Sequence, residues 1–214
     1  MLTGTDLSFR WSRRGPWILH EHAIEVAPGE VVGLRGPSGS GKSTLAAVLA
    51  GLQRPASGTV LVDDEPLASF TGASPVQVVL QHPDRAMNPR WTIREVLAEA
   101  LPLRRREALV RVDEIVAEDW ARHGLVNPDW LGRHPHEISG GELQRVNLLR
   151  ALCAEPRYLL ADEISASLDA ITQTVLWHRI EHEVKSRRIG VLAVSHDSAL
   201  LEQVADRIVD FRTP

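Results

Sequence analysis

Apolar and polar positions alternate over Asp6–Trp11 and again over Ala23–Ala27, the period-two pattern of half-buried strands. Strands with one wet face suit an antiparallel sheet. The turn dipeptide Pro28–Gly29 leads into Glu30–Arg35, a strand-type run, after which a glycine-rich stretch gives way to Lys42–Ala50, a helix closed by Gly51. Gly58–Val62, Val76–Leu80, Tyr158–Ala161 and Ile189–Val194 are further strand-type runs. The last three are short, apolar on both faces and far apart, as buried strands of a parallel sheet covered by helices are. Between them the period changes: Ile93–Leu101 and Glu107–Trp120 repeat apolar residues at helical spacing. The pattern predicts an α/β protein with an N-terminal antiparallel β subdomain. Its core should draw on residues 1–88 and 155–214, with an inserted α-helical subdomain over about 89–154. No internal repeat or heptad run interrupts this plan.

With 43% hydrophobic and 24% charged residues in 214, the chain has the composition of a globular protein and not of a fibrous or low-complexity one. No stretch approaches the roughly 18 uninterrupted apolar residues of a membrane span. The start, Met1–Asp6, lacks the basic-then-apolar layout of a signal, so the chain is expected to be neither secreted nor self-inserting. One cysteine, Cys153 in an apolar helical run, excludes an intrachain disulfide and suits a reducing cytoplasm. A net charge of −4 gives no overall electrostatic reason to bind nucleic acid. Arg104–Arg106 reads as a solvated helix face, and His20–Glu21–His22 and His134–Pro135–His136 each supply too few ligands for a metal site.

Gly36-Pro37-Ser38-Gly39-Ser40-Gly41-Lys42-Ser43 fits G-x-x-x-x-G-K-[ST] between a predicted strand and a predicted helix. Glycines are needed because successive N–H groups must turn inward around the β- and γ-phosphates of a nucleotide. Lys42 adds a point charge, the helix N-terminus adds its dipole, and the Ser43 hydroxyl is placed to ligate Mg²⁺. A second apolar strand, Tyr158–Ala161, ends in Asp162 and Glu163. Asp162 can reach the Mg²⁺ shell, and Glu163 can polarise an attacking water, which favours hydrolysis over transfer to another acceptor.

Ile138-Ser139-Gly140-Gly141-Glu142-Leu143-Gln144-Arg145, before the acidic strand and opening a helix, resembles the signature of ATP-binding cassette ATPases. The other motifs fall in that family's order: the phosphate loop, Gln81, the signature, Asp162–Glu163, Ser167–Leu168–Asp169, then His196 after the last apolar strand. The resemblance implies a P-loop NTPase (RecA-like) core that binds ATP and Mg²⁺. Nucleotide contacts are implied for Trp11, stacking on adenine, for Gly36 through Ser43, and for Thr44. It further implies a head-to-tail pair of cassettes. Ser139, Gly140, Gly141 and Glu142 of one would meet the nucleotide held by the loop of the other, with Asp169 at their boundary. Glu163, His196 and Gln81 would be catalytic, and Ser43, Gln81 and Asp162 would serve the metal. Two departures stand out. Glu142 replaces the commoner Gln and is expected to point its carboxylate to solvent, and Ile164 replaces a frequent Pro; neither removes a catalytic group.

Met87–Glu99 and Ser139–Val146 resemble the nickel and peptide importer branch. Asn88–Pro89 makes a turn, and Thr92 with Glu95 spells a capping box at the head of the helix that follows. That resemblance implies a separate membrane permease docking here, a second cassette identical or different, an extracytoplasmic solute-binding protein, and a place on the cytoplasmic face of the inner membrane. A non-transport cassette acting on nucleic acid, the ribosome or an enzyme complex, and an exporter subunit, are the alternatives; the interval from Gln81 to Ser139 leaves no room for a coiled-coil arm.

Overall fold

The computed structural model describes residues 1–166 and 168–211. In chain order its elements are β1 (Leu2–Phe9), β2 (Leu19–Val26), β3 (Val31–Arg35), α1 (Lys42–Leu49), β4 (Ser57–Val62), β5 (Glu65–Pro66), β6 (Val76–Val79) and α2 (Ile93–Glu99). There follow α3 (Arg105–His123), α4 (Gly140–Cys153), β7 (Tyr158–Asp162), α5 (Ala170–Arg187), β8 (Gly190–Ser195), α6 (Ser198–Val204) and β9 (Arg207–Asp210). They form two compact units, one of Met1–Val78, Arg157–Glu163 and the chain from Glu183, the other of Val79–Pro156 and Ile164–His182.

The first unit holds two sheets. One is antiparallel in the order β2-β1-β4-β5, and the other runs β6-β7-β8-β3-β9. The central strands β7, β8 and β3 are buried throughout except for Arg35, which is why their sequences are apolar without alternation. Leu160, Leu192, Val32 and Leu34 join Leu45 and Leu49 of α1 in one core with Leu2, Leu7 and Leu19 of the antiparallel sheet. Register does the functional positioning. Arg35 pairs with Ser195 and Asp162 pairs with Val194, both in parallel, so the segments leaving β3, β7 and β8 emerge at the same carboxyl end. The turn after β4 is tied to β7, where Asp63 accepts from the Tyr158 hydroxyl at 2.8 Å and from Arg157 at 2.9 Å.

The second unit is helical. The expected capping box heads α2: the Thr92 side chain accepts from the Glu95 N–H, and the Glu95 carboxylate accepts from the Thr92 N–H at 3.0 Å. Glycine at position 124, with φ 62, closes α3 through N–H bonds to the Asp119 and Trp120 carbonyls. Asp119, only 5% exposed, is satisfied by Arg179 at 3.0 Å and by the Val126 N–H.

This unit is larger than the helical insertion expected over 89–154. It begins ten residues earlier, at Val79, because the Leu80 carbonyl is bonded from α4. It also takes in 164–182, where Gln173 and Trp177 of α5 donate to the Ser165 carbonyl and hydroxyl. Side-chain bonds to backbone groups of this kind leave no periodic trace in a sequence.

Candidate active site

Gly36–Ser43 connects β3 to α1 as a loop. Gly39 and Gly41 have φ 75 and φ 116, backbone that only glycine adopts without strain. A Cβ on Gly41 would lie 3.0 Å from the Ile18 carbonyl oxygen, and one on Gly36 would lie 3.0 Å from Phe211 Cβ. Lys42 is 4% exposed, and its Nζ donates to the carbonyls of Gly36 and Pro37, each at 2.8 Å, so the ammonium is folded across the loop. Ser40 Oγ is buried with no partner among the described residues, and Gly41 gives α1 no side-chain cap. The leading N–H groups of the helix, the ammonium and an unspent hydroxyl are together what a polyphosphate takes.

Ser43 Oγ donates to Asp162 Oδ1 at 3.0 Å. Burial pushes the Asp162 carboxyl above its ordinary range, and the neighbouring Glu163 charge adds to this, while the Ser43 bond and the Lys42 charge pull the other way. A buried carboxylate whose charge is under-compensated, bonded to an exposed hydroxyl, is a donor set that fits Mg²⁺.

One residue on, Glu163 has φ 50 while its N–H is held by the Val194 carbonyl at 2.9 Å. A non-glycine residue kept in the left-handed region costs about 1–3 kcal/mol, and the surrounding strands must enforce it. His196 leaves β8 with its Nδ1 3.1 Å from Glu163 Oε2. In this geometry a carboxylate can accept from a protonated Nδ1. The pair brings a base and its orienting partner together, the arrangement needed to take a proton from water.

Trp11 is 68% exposed and is held edge-on by buried Phe9, with ring centroids 4.9 Å apart. Trp17 is engaged instead, covered by the Arg10 guanidinium at 4.4 Å and packed on His20. Trp11 therefore offers the open ring face that a base requires. Thr44 is half-buried on α1, and Pro37 and Ser38 are exposed on the loop.

The remaining candidates belong to the helical unit. Ser139 caps α4: its Oγ accepts from the Glu142 N–H at 3.3 Å, and Glu142 Oε2 accepts from the Ser139 N–H at 2.7 Å. This corrects the expectation that Glu142 points freely to solvent. The spacing S-x-x-E closes a capping box, so the carboxylate folds back onto the helix end. Its pKa lies below the usual carboxylate range, chiefly through the Ser139 N–H, with burial opposing.

A Cβ on Gly140 would meet nothing within 4 Å, while one on Gly141 would touch Thr172 at 3.4 Å. Asp169 accepts from the Thr172 N–H at 3.0 Å and its hydroxyl at 2.8 Å at the head of α5. Ser167 lies outside the described residues. Gln81 is exposed in a bend just past β6. The carbonyl of Leu80 beside it accepts from Gln144 Nε2 at 3.0 Å and Asn147 Nδ2 at 3.3 Å, both side chains 1% exposed. Sequence reasoning missed these two amides. Their signal was a pair of polar residues three apart on the face that α4 fills with Leu143, Val146 and Leu148.

Trp91, Ala98, Leu101, Leu103 and Leu109 line a cavity of about 190 Å³ with Glu95, Glu99 and Arg105 at its polar positions. Arg105 pairs with Glu95, and the His134 ring bonds the Trp91 carbonyl at 3.2 Å. Among the described residues no helix is long and apolar enough to cross a membrane.

The sequence profile of the ABC transporter family matches residues 19–166. A nickel import ATP-binding protein NikE of Escherichia coli O6:K15:H31 (strain 536 / UPEC) is 34% identical over 227 residues, covering 98% of this chain and 82% of its own length. A nickel import system ATP-binding protein NikE of Staphylococcus aureus (strain MSSA476) is 34% identical over 193 residues, covering 90% of this chain and 78% of its own. Among solved structures, the dimeric post-hydrolysis state of the ATP-binding cassette MJ0796 bound to ADP and Pi superposes with TM-score 0.82 at 22% identity. That match covers 100% of this chain and 95% of that one. The cbiO1 protein of Clostridium perfringens, part of the ABC transporter complex cbiONQ, superposes with TM-score 0.79 at 23% identity, covering 99% and 84%.

Proposed function

Because the chain belongs to the ABC transporter family, we propose that it is the subunit that binds and hydrolyses ATP to power import through a separate membrane permease. The observation that supports this most is the Ser43–Asp162 contact of 3.0 Å beside the Glu163–His196 pair, with Lys42 folded across the loop. On this reading the Lys42 ammonium exchanges its two carbonyl partners for phosphate oxygens, and Trp11 carries the adenine ring. Ser43 and Asp162 would hold Mg²⁺, which would neutralise phosphate charge, and Gln81 is proposed to serve metal and water. The Glu163 carboxylate takes a proton from the water that attacks the γ-phosphorus. His196 fixes the orientation of that carboxylate, and the products are ADP and inorganic phosphate.

Ser139, Gly140, Gly141 and Glu142 meet the nucleotide of a second cassette, with Asp169 at the boundary, so turnover belongs to a pair. On this reading the permease docks a segment in the cavity at Trp91, Leu101 and Leu103, whose apolar lining supports such a contact, and the chain works at the cytoplasmic face of the inner membrane. Relatives named for nickel import support a nickel-type solute; a peptide-type solute and delivery by an extracytoplasmic binding protein belong to the same proposal.

The test uses Glu163→Gln to hold the ATP-bound state while the protein is isolated from native membranes with its partners, which are identified by mass spectrometry. An integral membrane protein is expected in the eluate. Ribosomal or DNA-bound partners without one would overturn the transport reading and leave the ATPase.

A further inference from the structure

The head of α4 carries two claims on one set of donors. Its capping box spends the Ser139 N–H on the Glu142 carboxylate and the Glu142 N–H on the Ser139 hydroxyl oxygen. The other leading donors are the N–H groups of Gly140 and Gly141, which no preceding turn can serve. Gly140 is not demanded by the chain's own packing, since a Cβ there meets nothing within 4 Å and its φ lies outside the left-handed region. A glycine with open space before it, in a helix that alanine would favour, indicates close approach by something from outside.

The Ser139 oxygen accepts from the Glu142 N–H and its hydroxyl also bonds the Glu142 carboxylate, so the box engages this side chain twice. Glu142 is nonetheless an anion held at the same helix end. The positive charges of Arg133 and Arg145 offset that anion in part, and Arg145 is held in place by donating to the Gly124 and Leu125 carbonyls and stacking on Trp130 with its centre 5.0 Å from the ring.

We propose that Glu142 is a charge brake on cassette pairing: its carboxylate holds Ser139 in place through the capping box and repels the polyphosphate that a second copy of this chain presents to the same helix end. This rests on the reading that residues 139–141 take the partner's nucleotide. An amide closes the same box, because Gln at the third helical position bonds the cap N–H as Glu does. Glu142→Gln therefore keeps the geometry and removes the charge. A repulsion between unit charges several ångströms apart near a wet surface corresponds to about a 3- to 10-fold change in affinity and shrinks as salt rises.

The experiment measures ATP-dependent self-association of the full chain in a Glu163→Gln background by analytical ultracentrifugation, from 50 mM to 500 mM NaCl. Glu142→Gln is expected to pair about 3- to 10-fold more tightly than Glu142 at low salt, the gap closing at high salt. Glu142→Ala, which loses charge and box together, should gain less than Glu142→Gln. Equal pairing of the Glu and Gln forms at every salt concentration, or a gap that salt leaves unchanged, overturns the charge role alone. Ser139→Arg is the control for the underlying reading: pairing that survives it, or ATP-dependent pairing absent from every form, overturns the assignment of the signature itself.

Discussion

Gly41 and Gly140 stand at the heads of two helices, and a methyl group added to each meets opposite surroundings. At Gly41 it would find the Ile18 carbonyl oxygen 3.0 Å away, on backbone with φ 116; at Gly140 it would find nothing within 4 Å. The phosphate loop is thus shaped from within. Phe211 and Ile18 crowd its glycines, Lys42 ties its two ends, and the loop is built for an anion before any arrives. At the signature turn the chain's own requirement ends at the Ser139–Glu142 box, and the space before Gly140 is left open by the described residues. A site preformed in one place and only poised in another is what a reaction needs if nucleotide is to bind one chain but react only in a pair.

The most severe way to separate the two regions is to disable the chemistry and keep the binding. Glu163→Gln should retain ATP affinity and lose about 10²- to 10⁴-fold in kcat, the usual contribution of a positioned base, as read by phosphate release. Lys42→Ala should do the reverse, weakening ATP binding by about 10- to 150-fold in calorimetric titration, because one charge-assisted set of bonds contributes about 1.5–3 kcal/mol. Unchanged affinity in Lys42→Ala would remove the loop from nucleotide binding.

Next comes the glycine pair itself. Gly41→Ala should destabilise the nucleotide-free protein by about 2–3 kcal/mol through left-handed strain and the Ile18 contact. Gly140→Ala should leave thermal stability level or slightly higher, yet impair ATP-dependent pairing. A large stability loss at Gly140 would mean that its glycine is structural after all.

The difference between the regions also explains how much could be read in advance. The loop, Asp162, Glu163 and His196 were legible because each follows an apolar strand, and parallel register brings the ends of β3, β7 and β8 to one edge. The Thr92–Glu95 box was legible because capping is local chemistry. Glu142 has the same spacing to Ser139 as Glu95 has to Thr92, and the box it closes turns its carboxylate back onto the helix end, against the expectation that it points to solvent. Gln144 and Asn147 show in the sequence only as two polar residues three apart on an apolar helix face, without a sign of what they meet. Their partner is the Leu80 carbonyl, more than sixty residues away, and a backbone acceptor carries no residue identity.

The smallest expected effects are electrostatic and opposite in sign at the two places. Glu142 lies below its ordinary range because the charged form is bonded at the helix end, so its contribution is present above the unfolded value, about 4.3, and is lost as pH falls through the lower folded one. Asp162 lies above its ordinary range because burial opposes the charge, so its protonated form is favoured at low pH and a cost appears as pH rises through the folded value. Asp162→Asn should therefore raise the melting temperature of the nucleotide-free protein at pH 8 by a few degrees, roughly the 2–4 °C that each kcal/mol gives in a chain of this length. The gain should shrink as pH falls through the raised folded value, where the parent carboxyl takes up its proton. Glu142→Gln should instead lower the melting temperature above about pH 5, and it too should converge with the parent in acid. A gain for Asp162→Asn of equal size at both ends of the range would assign it to packing of the amide and not to relief of a buried charge.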